Sequence, residues 1–449
     1  MSARLLLGAT ALILLLPAPV EAAGATMRLD AAYHITATLD VGTGRLDAVE
    51  VATLTNRSGR DVEWLNLAVL PRAFDYVALD DPVTVDGAPV SVEWTTETNL
   101  RVPLPGGMEP DATIEVRVPF TLTVGNSGGA FTARTSRENG VISFGQWFPI
   151  VSREHGSHGV GDPQVTATAE RVTLDLTTTV AQPRDAVACP GLVEAPATIG
   201  THWRCEVEQV RDFSFVVNPR FRLVGRDVAG VAMRVYTETV DGRVVADLAA
   251  EALVAFGEAY GPYPWDDLVL AEVGSGGGFS MEYPRAIHLT RGKVTDTYVV
   301  YHEVAHQWFY AQVGNDQMRE PFLDEGFADF SARWLMGIGE DQCSSRPVDS
   351  PVFAWQAGPT SGGDWLSCDG YFHTVFYRGT EFLNALRAAM GDEAFFTGVR
   401  SFVDQHRHGI TSIRTLMEHL QAGTDADLEP IRRAYLAAET RPARVIGRT

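Results

Sequence analysis

Through the first half of the chain, apolar and polar positions alternate in short runs, the pattern of strands with one buried face. Residues 33–39, 48–54, 113–118, 172–178 and 213–217 are such runs, rich in Val, Thr and aromatic side chains. Asn56-Arg-Ser-Gly59, Asp86-Gly87 and Pro105-Gly-Gly107 separate them as turns, since Gly, Asn and Asp tolerate the backbone angles that turns need. The spacing predicts an antiparallel β sandwich or saddle over residues 24–225.

After residue 225 the period lengthens. A hairpin-like stretch at 231–237 leads into a helical pattern over 244–260, which Gly261-Pro-Tyr-Pro264 cannot continue. A strand follows at 268–273, then a glycine run and Ser280-Met-Glu-Tyr-Pro284, whose proline confines that piece to a sheet edge or its end. The pattern predicts a helix over 297–313, capped by Thr295 or Asp296 and closed by Gly314. Another is predicted over 325–336, closed by Gly337. A Pro/Gly/Ser-rich loop at 339–363 precedes a helix over 370–390, and the tail from 392 to 438 alternates helical patterns with polar turns. The chain therefore reads as α+β and multidomain, with residues 226–449 forming the second domain.

The first residues form no part of that fold. Arg4, an apolar run at 5–16 and a small-residue stretch at 17–25 make a secretory signal pattern over residues 1–23. The run is shorter than the ~20 residues a membrane span needs, and no second run of spanning length follows. The expected location is secreted, periplasmic or extracellular. Four cysteines suit an exported protein with two disulfides, and three connectivities are possible. Local loop closure favours Cys189 with Cys205 and Cys343 with Cys368. A formal charge of −21 excludes nucleic acid as a partner, because no basic patch offers itself to phosphates.

The chemistry concentrates in one stretch. His302, Glu303 and His306 form H-E-x-x-H, and Glu325 arrives after eighteen further residues. On a helix the two histidines share one side. Two imidazoles and a carboxylate make a catalytic zinc site with one ion per chain and a fourth position open for water. Glu303 can reach that water as general base. Asp329, four residues after Glu325, is placed to orient a ligand histidine. A developing oxyanion needs a further donor, for which Tyr377 is the candidate and Tyr371 the competitor. Glu282 follows glycines that allow close backbone approach, so its carboxylate could bind a cation. His155 and His158 lack a third ligand at useful spacing, and no G-x-S-x-G elbow points to a nucleophilic hydrolase.

Gly261-Pro-Tyr-Pro-Trp265, Met281-Glu-Tyr-Pro284, His302-Glu-Val-Ala-His306-Gln-Trp308, Leu323-Asp-Glu-Gly-Phe-Ala328 and Tyr377-Arg-Gly379 stand in one order. Together they resemble the aminopeptidase N-type zinc metallopeptidases, thermolysin-like gluzincins that include leukotriene hydrolase. The resemblance is clear over about 225–440. It implies an N-terminal β saddle followed by a thermolysin-like catalytic domain, in a short form without the large helical C-terminal domain of many relatives. By the same resemblance His302, His306 and Glu325 are the zinc ligands, Glu303 the base and Tyr377 the oxyanion stabiliser. Glu282 and Met281 contact substrate, with Glu282 holding its free α-amino group. The implied partners are peptides with a free N-terminus, and the implied activity is removal of N-terminal residues. The alternatives are an endopeptidase of the same fold or a non-catalytic zinc-binding relative. One departure stands beside the amine site: the family's G-x-M-E-N reads Phe279-Ser-Met-Glu-Tyr283, with Phe279 at its first position.

Overall fold

In the computed structural model, the alternation is most regular in β1 (Leu29–Asp40). Leu29, Ala31, Tyr33, Ile35, Ala37 and Leu39 are buried while their neighbours face outward, which pins the strand's register. The structure describes residues 28–79, 81–126, 134–152, 164–275, 279–317, 319–339 and 372–436. The signal pattern, the Cys343–Cys368 pair, Tyr371, His155 and His158 lie outside the described residues.

β2 (Arg45–Asn56) pairs antiparallel with β1, and β3 (Thr113–Thr123) antiparallel with β2. On the other side of β1 runs β4 (Ala169–Pro183), followed by β5 (Ile199–Val210) antiparallel to it. These strands dominate a nine-stranded sheet among the described residues. It departs from the expected all-antiparallel order at one pair, β1 with β4, which is parallel. A parallel neighbour needs a long connection, and the chain between them builds one smaller four-stranded sheet and two strands of another on the way. Tyr33, Trp147, Phe148 and Phe215 centre the core of this half. Cys189 and Cys205 form a disulfide, and Cys205 lies on β5.

The second half begins with β6 (Arg222–Val228), β7 (Val231–Thr237), β8 (Asp267–Val273) and β9 (Ala286–Thr290), in that order in one sheet. The expected boundary at 225 thus falls inside β6, which is joined to β7 by seven residue pairs. β9 was not foreseen: five apolar-rich residues directly after Pro284 carry too short a pattern to distinguish strand from turn. The Ser280–Pro284 piece sits at the sheet edge as its proline requires, held by one bridge between Met281 and His288.

Helices cover this sheet. α1 (Gly242–Tyr260) is capped by the Asp241 carboxylate, which accepts from Arg243 N, and ends at Gly261. α2 (Thr297–Ala305) and α3 (Glu325–Met336) follow, then a π-helical turn at Phe372–Tyr377 that runs into α4 (Arg378–Met390). α5 (Asp392–His406), α6 (Ile413–Ala422) and α7 (Glu429–Tyr435) complete the tail. α3 and α4 meet at glycines: a Cβ on Gly379 would lie 2.9 Å from the Gly326 Cα. None of the described helices is long and apolar enough to cross a membrane.

α2 ends eight residues earlier than the sequence pattern predicts. Arg211, directly after β5 and fully buried, needs acceptors, and it donates to the carbonyls of Tyr310, Gln312, Gly409 and Ala167. A tight turn at 306–313 presents two of those carbonyls, and Tyr310 adopts φ 121° within it. A bulky residue at positive φ costs on the order of 1–3 kcal/mol, so the Arg211 contacts stabilise a strained turn.

Beside Arg211, Asp212 is buried among apolar strands. One carboxylate oxygen accepts from Phe213 N at 2.7 Å, and the other has no hydrogen-bond partner. Burial pushes its carboxyl up to about 7, against the pull of Arg134. A raised folded value means that this group's contribution to stability is full below about pH 4. It is lost progressively as pH rises through the folded value. Asp212→Asn, which keeps the acceptor and cannot ionise, should match wild type at pH 4. It should gain a margin that widens up to pH 7 and then levels, reaching a few kcal/mol at about 1.4 kcal/mol per unit. Denaturant unfolding from pH 4 to 8.5 measures this, and a margin independent of pH would contradict it.

Candidate active site

α2 starts where the Asp296 carboxylate accepts from Val299 N, and its last turn carries His302, Glu303 and, at its end, His306. α3 packs against it, and Glu325 is its first residue. The two helices bring three atoms together. His302 Nε2 and His306 Nε2 are 3.0 Å apart, and Glu325 Oε2 lies 3.1 Å from the first and 3.4 Å from the second. A tetrahedral zinc with bonds of about 2.0–2.1 Å has ligand–ligand edges of about 3.3 Å. The three residues fit that ion. Burial raises the Glu325 carboxyl, but hydrogen bonding to His302 and His306 outweighs it and holds the group at about 2.

His306 is oriented from behind. Its Nδ1 faces the Phe309 carbonyl at 3.1 Å and is paired with the carboxylate of Asp324, which is fully buried. The early end of α2 makes the first contact possible, because the turn held by Arg211 folds Phe309 back over the ring. Asp324 thus stands against His306 in the orienting position considered for Asp329, which itself lies within electrostatic reach of His302. The Asp329 carboxylate accepts instead from Tyr298 Oη at 2.5 Å, Thr380 Oγ1 at 2.6 Å and Arg333 Nε at 2.9 Å. Both aspartates flank Glu325 closely. Asp324 precedes the first turn of α3 and reaches His306, whereas Asp329 lies on the side toward α4.

Glu282 arrives from the sheet edge. Gln307, next to His306, donates to the backbone carbonyls of Glu282 and Tyr283 at 3.3 and 3.2 Å. It also accepts from Arg285 N at 2.9 Å, so one side chain fixes the edge segment against the metal helix. Tyr283 is seated against Gly145 of the β half, where a Cβ would collide with its ring. The result is a second cluster, Glu282 with Glu303 and His306, whose ligand atoms lie within 4.8 Å of one another. Burial pushes the Glu282 carboxyl up to about 8, against the pull of His306. Burial likewise raises Glu303, and nearby Glu282 adds to it. Gln164, from the β half, donates from Nε2 to Glu282 Oε1, while its own buried Oε1 has no hydrogen-bond partner. Met281 forms the bridge beside Glu282 and is half-buried.

Tyr377 packs between Arg333 and His373. Its ring lies over the Arg333 guanidinium at 4.7 Å and edge-on to His373 at 5.1 Å. The side chain stacked on His302 is Phe376, with ring centroids 5.4 Å apart and planes at 4°. Neighbouring helical residues diverge widely around the axis, so one position decides whether a phenol or a phenyl meets the ligand. The expected oxyanion role for Tyr377 rests on the resemblance alone. Asp324, Gln164 and Phe376 touch the candidate site without having been singled out from the sequence. Asp324 and Phe376 each adjoin a residue that was chosen, while Gln164 carries no motif.

The two aspartates separate cleanly by experiment. Asp324→Asn should weaken zinc binding about 10- to 100-fold, the usual cost of losing a ligand's orienting carboxylate. Asp329→Asn should change zinc affinity less than threefold while lowering thermal stability. Competition against a chromophoric chelator measures both affinities, and a larger loss in Asp329→Asn would reverse the assignment.

No family model matches the chain. It is 26% identical over 257 residues to Aminopeptidase 2 of Candida albicans, across 48% of this chain and 26% of that protein. It is 25% identical over 217 residues to Aminopeptidase N of Streptomyces lividans, across 40% and 24%. The chain thus spans about a quarter of the length of these curated relatives. Among solved structures, an M1 zinc metallopeptidase from Deinococcus radiodurans superposes with a TM-score of 0.66 at 19% identity, covering 93% of this chain and 96% of that one. A mutant of an M1 zinc metallopeptidase from the same organism, bound to a Tyr-Ser-Ala substrate, gives the same TM-score. In fold the chain matches these M1 zinc metallopeptidases, and in sequence and in the order of its motifs it is similar to the aminopeptidases.

Proposed function

We propose that this chain is an exported zinc aminopeptidase that releases N-terminal residues from peptides. The observation that carries the reading is the packing of Glu282 into one cluster with Glu303 and His306, beside the His302–His306–Glu325 triad. Bound to that triad, one zinc ion supplies a water of lowered pKa and polarises the scissile carbonyl. Glu303 takes the proton from the attacking water and returns it to the leaving amine. Glu282 holds the substrate's α-ammonium. A buried carboxylate gains most from a charged donor, and an ammonium brings three N–H groups where a peptide bond brings one. Gln164 Oε1 supports the same role, since it is a second acceptor without a hydrogen-bond partner against Glu282. Gln307 sets the spacing between amine and carbonyl by clipping the Glu282 segment to the residue after His306.

Export rests on the signal pattern at residues 1–23 and is supported by the Cys189–Cys205 disulfide, which suits an oxidising compartment. Fractionation of cells expressing the full chain tests this part of the reading.

Fluorogenic aminoacyl substrates and free or N-acetylated peptides test the chemistry. Zinc-loaded wild type should release free amino acids from unblocked peptides only, and chelation should abolish the activity. Glu303→Gln should lose about 10²- to 10⁴-fold in kcat, the range for a general base. Glu282→Ala should lose roughly thirtyfold or more in kcat/KM, as expected for a truncated partner of a buried charge pair. Equal cutting of acetylated peptides would sink the amine role and favour an endopeptidase. A separate comparison concerns the oxyanion. Tyr377→Phe should change kcat by less than about threefold, against the 10²- to 10³-fold that loss of an oxyanion donor costs. A loss in the larger range would restore Tyr377 to the catalytic set.

A further inference from the structure

The segment that carries Glu282 reverses direction in a tight turn. Tyr283 O accepts from Ala286 N at 2.9 Å, and Met281 exchanges both backbone hydrogen bonds with His288 at 2.8 Å. Pro284 and Arg285 are the two central residues of that turn. Arg285 adopts φ 63°, in the left-handed region, where a turn with proline one position earlier ordinarily carries Gly or Asn. A long side chain is kept there against the preference of the backbone, so the reason lies in what the side chain does.

That side chain is buried and ends on a buried carboxylate. Arg285 Nε and Nη2 donate to Asp267 Oδ1 at 2.7 and 2.5 Å, and Nη2 also reaches Asp266 at 2.8 Å. The other oxygen of Asp267 accepts from Arg234 Nη2 at 2.6 Å and from Gly191 N at 2.7 Å. Arg234 donates as well to the carbonyl of Cys189, a disulfide residue of the β half. The backbone of Arg285 is tied on both sides. Its N–H donates to Gln307 Oε1 at 2.9 Å, and its carbonyl accepts from Val269 N at 2.8 Å. One residue therefore joins three parts: the start of β8, the Gln307 side chain beside His306, and the turn that presents Glu282. An arginine–carboxylate pair with two donors on one partner fixes orientation as well as adding energy, and neither glycine nor lysine reproduces it.

On the aminopeptidase reading above, we infer that Arg285 is a positioning residue for recognition of the substrate's α-ammonium. Its ion pair with Asp267 holds the turn, so that the Glu282 carboxylate stands at a set distance from the triad. Arg285 acts through Glu282 and touches no substrate. Without the pair, Glu282 loses its grip on the amine while the zinc ligands and Glu303 stay in place on α2 and α3.

The test compares Arg285→Gly, Arg285→Lys and Glu282→Ala with wild type, all zinc-loaded, with circular dichroism to confirm folding. Glycine suits the left-handed backbone, so Arg285→Gly removes the side chain without straining the turn. Calorimetry with free L-leucine reads the grip on the amine, and acetohydroxamate serves as a zinc-directed ligand without one. Arg285→Gly should bind L-leucine about tenfold more weakly, the scale of a sub-ångström misplacement, and acetohydroxamate within about twofold of wild type. Arg285→Lys should fall between, because it keeps the charge and loses the fork. On leucyl fluorogenic substrate, Arg285→Gly should raise KM about tenfold and leave kcat within about threefold, the pattern of lost uniform binding. L-leucine binding that Glu282→Ala weakens and Arg285→Gly leaves unchanged overturns the positioning role alone. So does an equal loss of both ligands in Arg285→Gly, which a merely structural role would give. L-leucine binding that is undetectable in wild type, or unaffected by Glu282→Ala, overturns the aminopeptidase reading and this inference with it.

Discussion

Four carboxyl groups buried in one another's field set the terms for the rest of this molecule. Glu282, Glu303, Asp324 and Glu325 all interact electrostatically within the cleft, and burial drives each toward its neutral form. Isolated, such groups would protonate or draw in water. The surroundings resolve the conflict residue by residue. Glu325 is held ionised by two imidazoles, Asp324 is paired with His306, and Glu282 receives Gln164. Glu303 keeps a buried oxygen with no hydrogen-bond partner, as a base waiting for a proton should. A divalent ion at the triad adds positive charge at the centre of that field, which is why the donor set makes sense as a metal site.

Both halves of the chain are needed to hold that arrangement. The β half contributes Arg211, whose guanidinium fixes the turn that ends α2 and lies within electrostatic reach of Asp324. It also contributes Gln164 against Glu282 and the bare backbone of Gly145 under Tyr283. α2 carries His302, Glu303 and, at its end, His306, but where it stops is decided by an arginine about a hundred residues earlier. Separating the halves would therefore take Gln164 from Glu282 and release the strained turn at Tyr310.

This division explains which features were legible in the sequence. His302, Glu303, His306 and Glu325 could be read because their spacing alone implies the geometry: four residues on one helix, then a ligand at the start of the next. The caps at Asp296 and Gly337 are local chemistry and were equally readable. Contacts across long separations were not. Gln164 meets Glu282 over 118 residues, and no periodicity connects them. The end of α2 was misplaced because its pattern stays apolar through Phe309, Tyr310, Ala311 and Val313, and only a tertiary contact diverts the backbone. β9 was missed because five residues after a proline carry too little pattern.

Asp329 and Tyr377 meet in one knot beside the triad, through Arg333. Asp329 accepts from Tyr298 of α2, Arg333 of α3 and Thr380 of α4, and Arg333 in turn lies beneath the Tyr377 ring. A single carboxylate thus braces three helices, and the glycine contact between α3 and α4 lets them close around it. This brace fixes the rotation of the π-helical turn. With Tyr377 committed to Arg333, the preceding residue faces the cleft, and Phe376 rather than a phenol lies on His302.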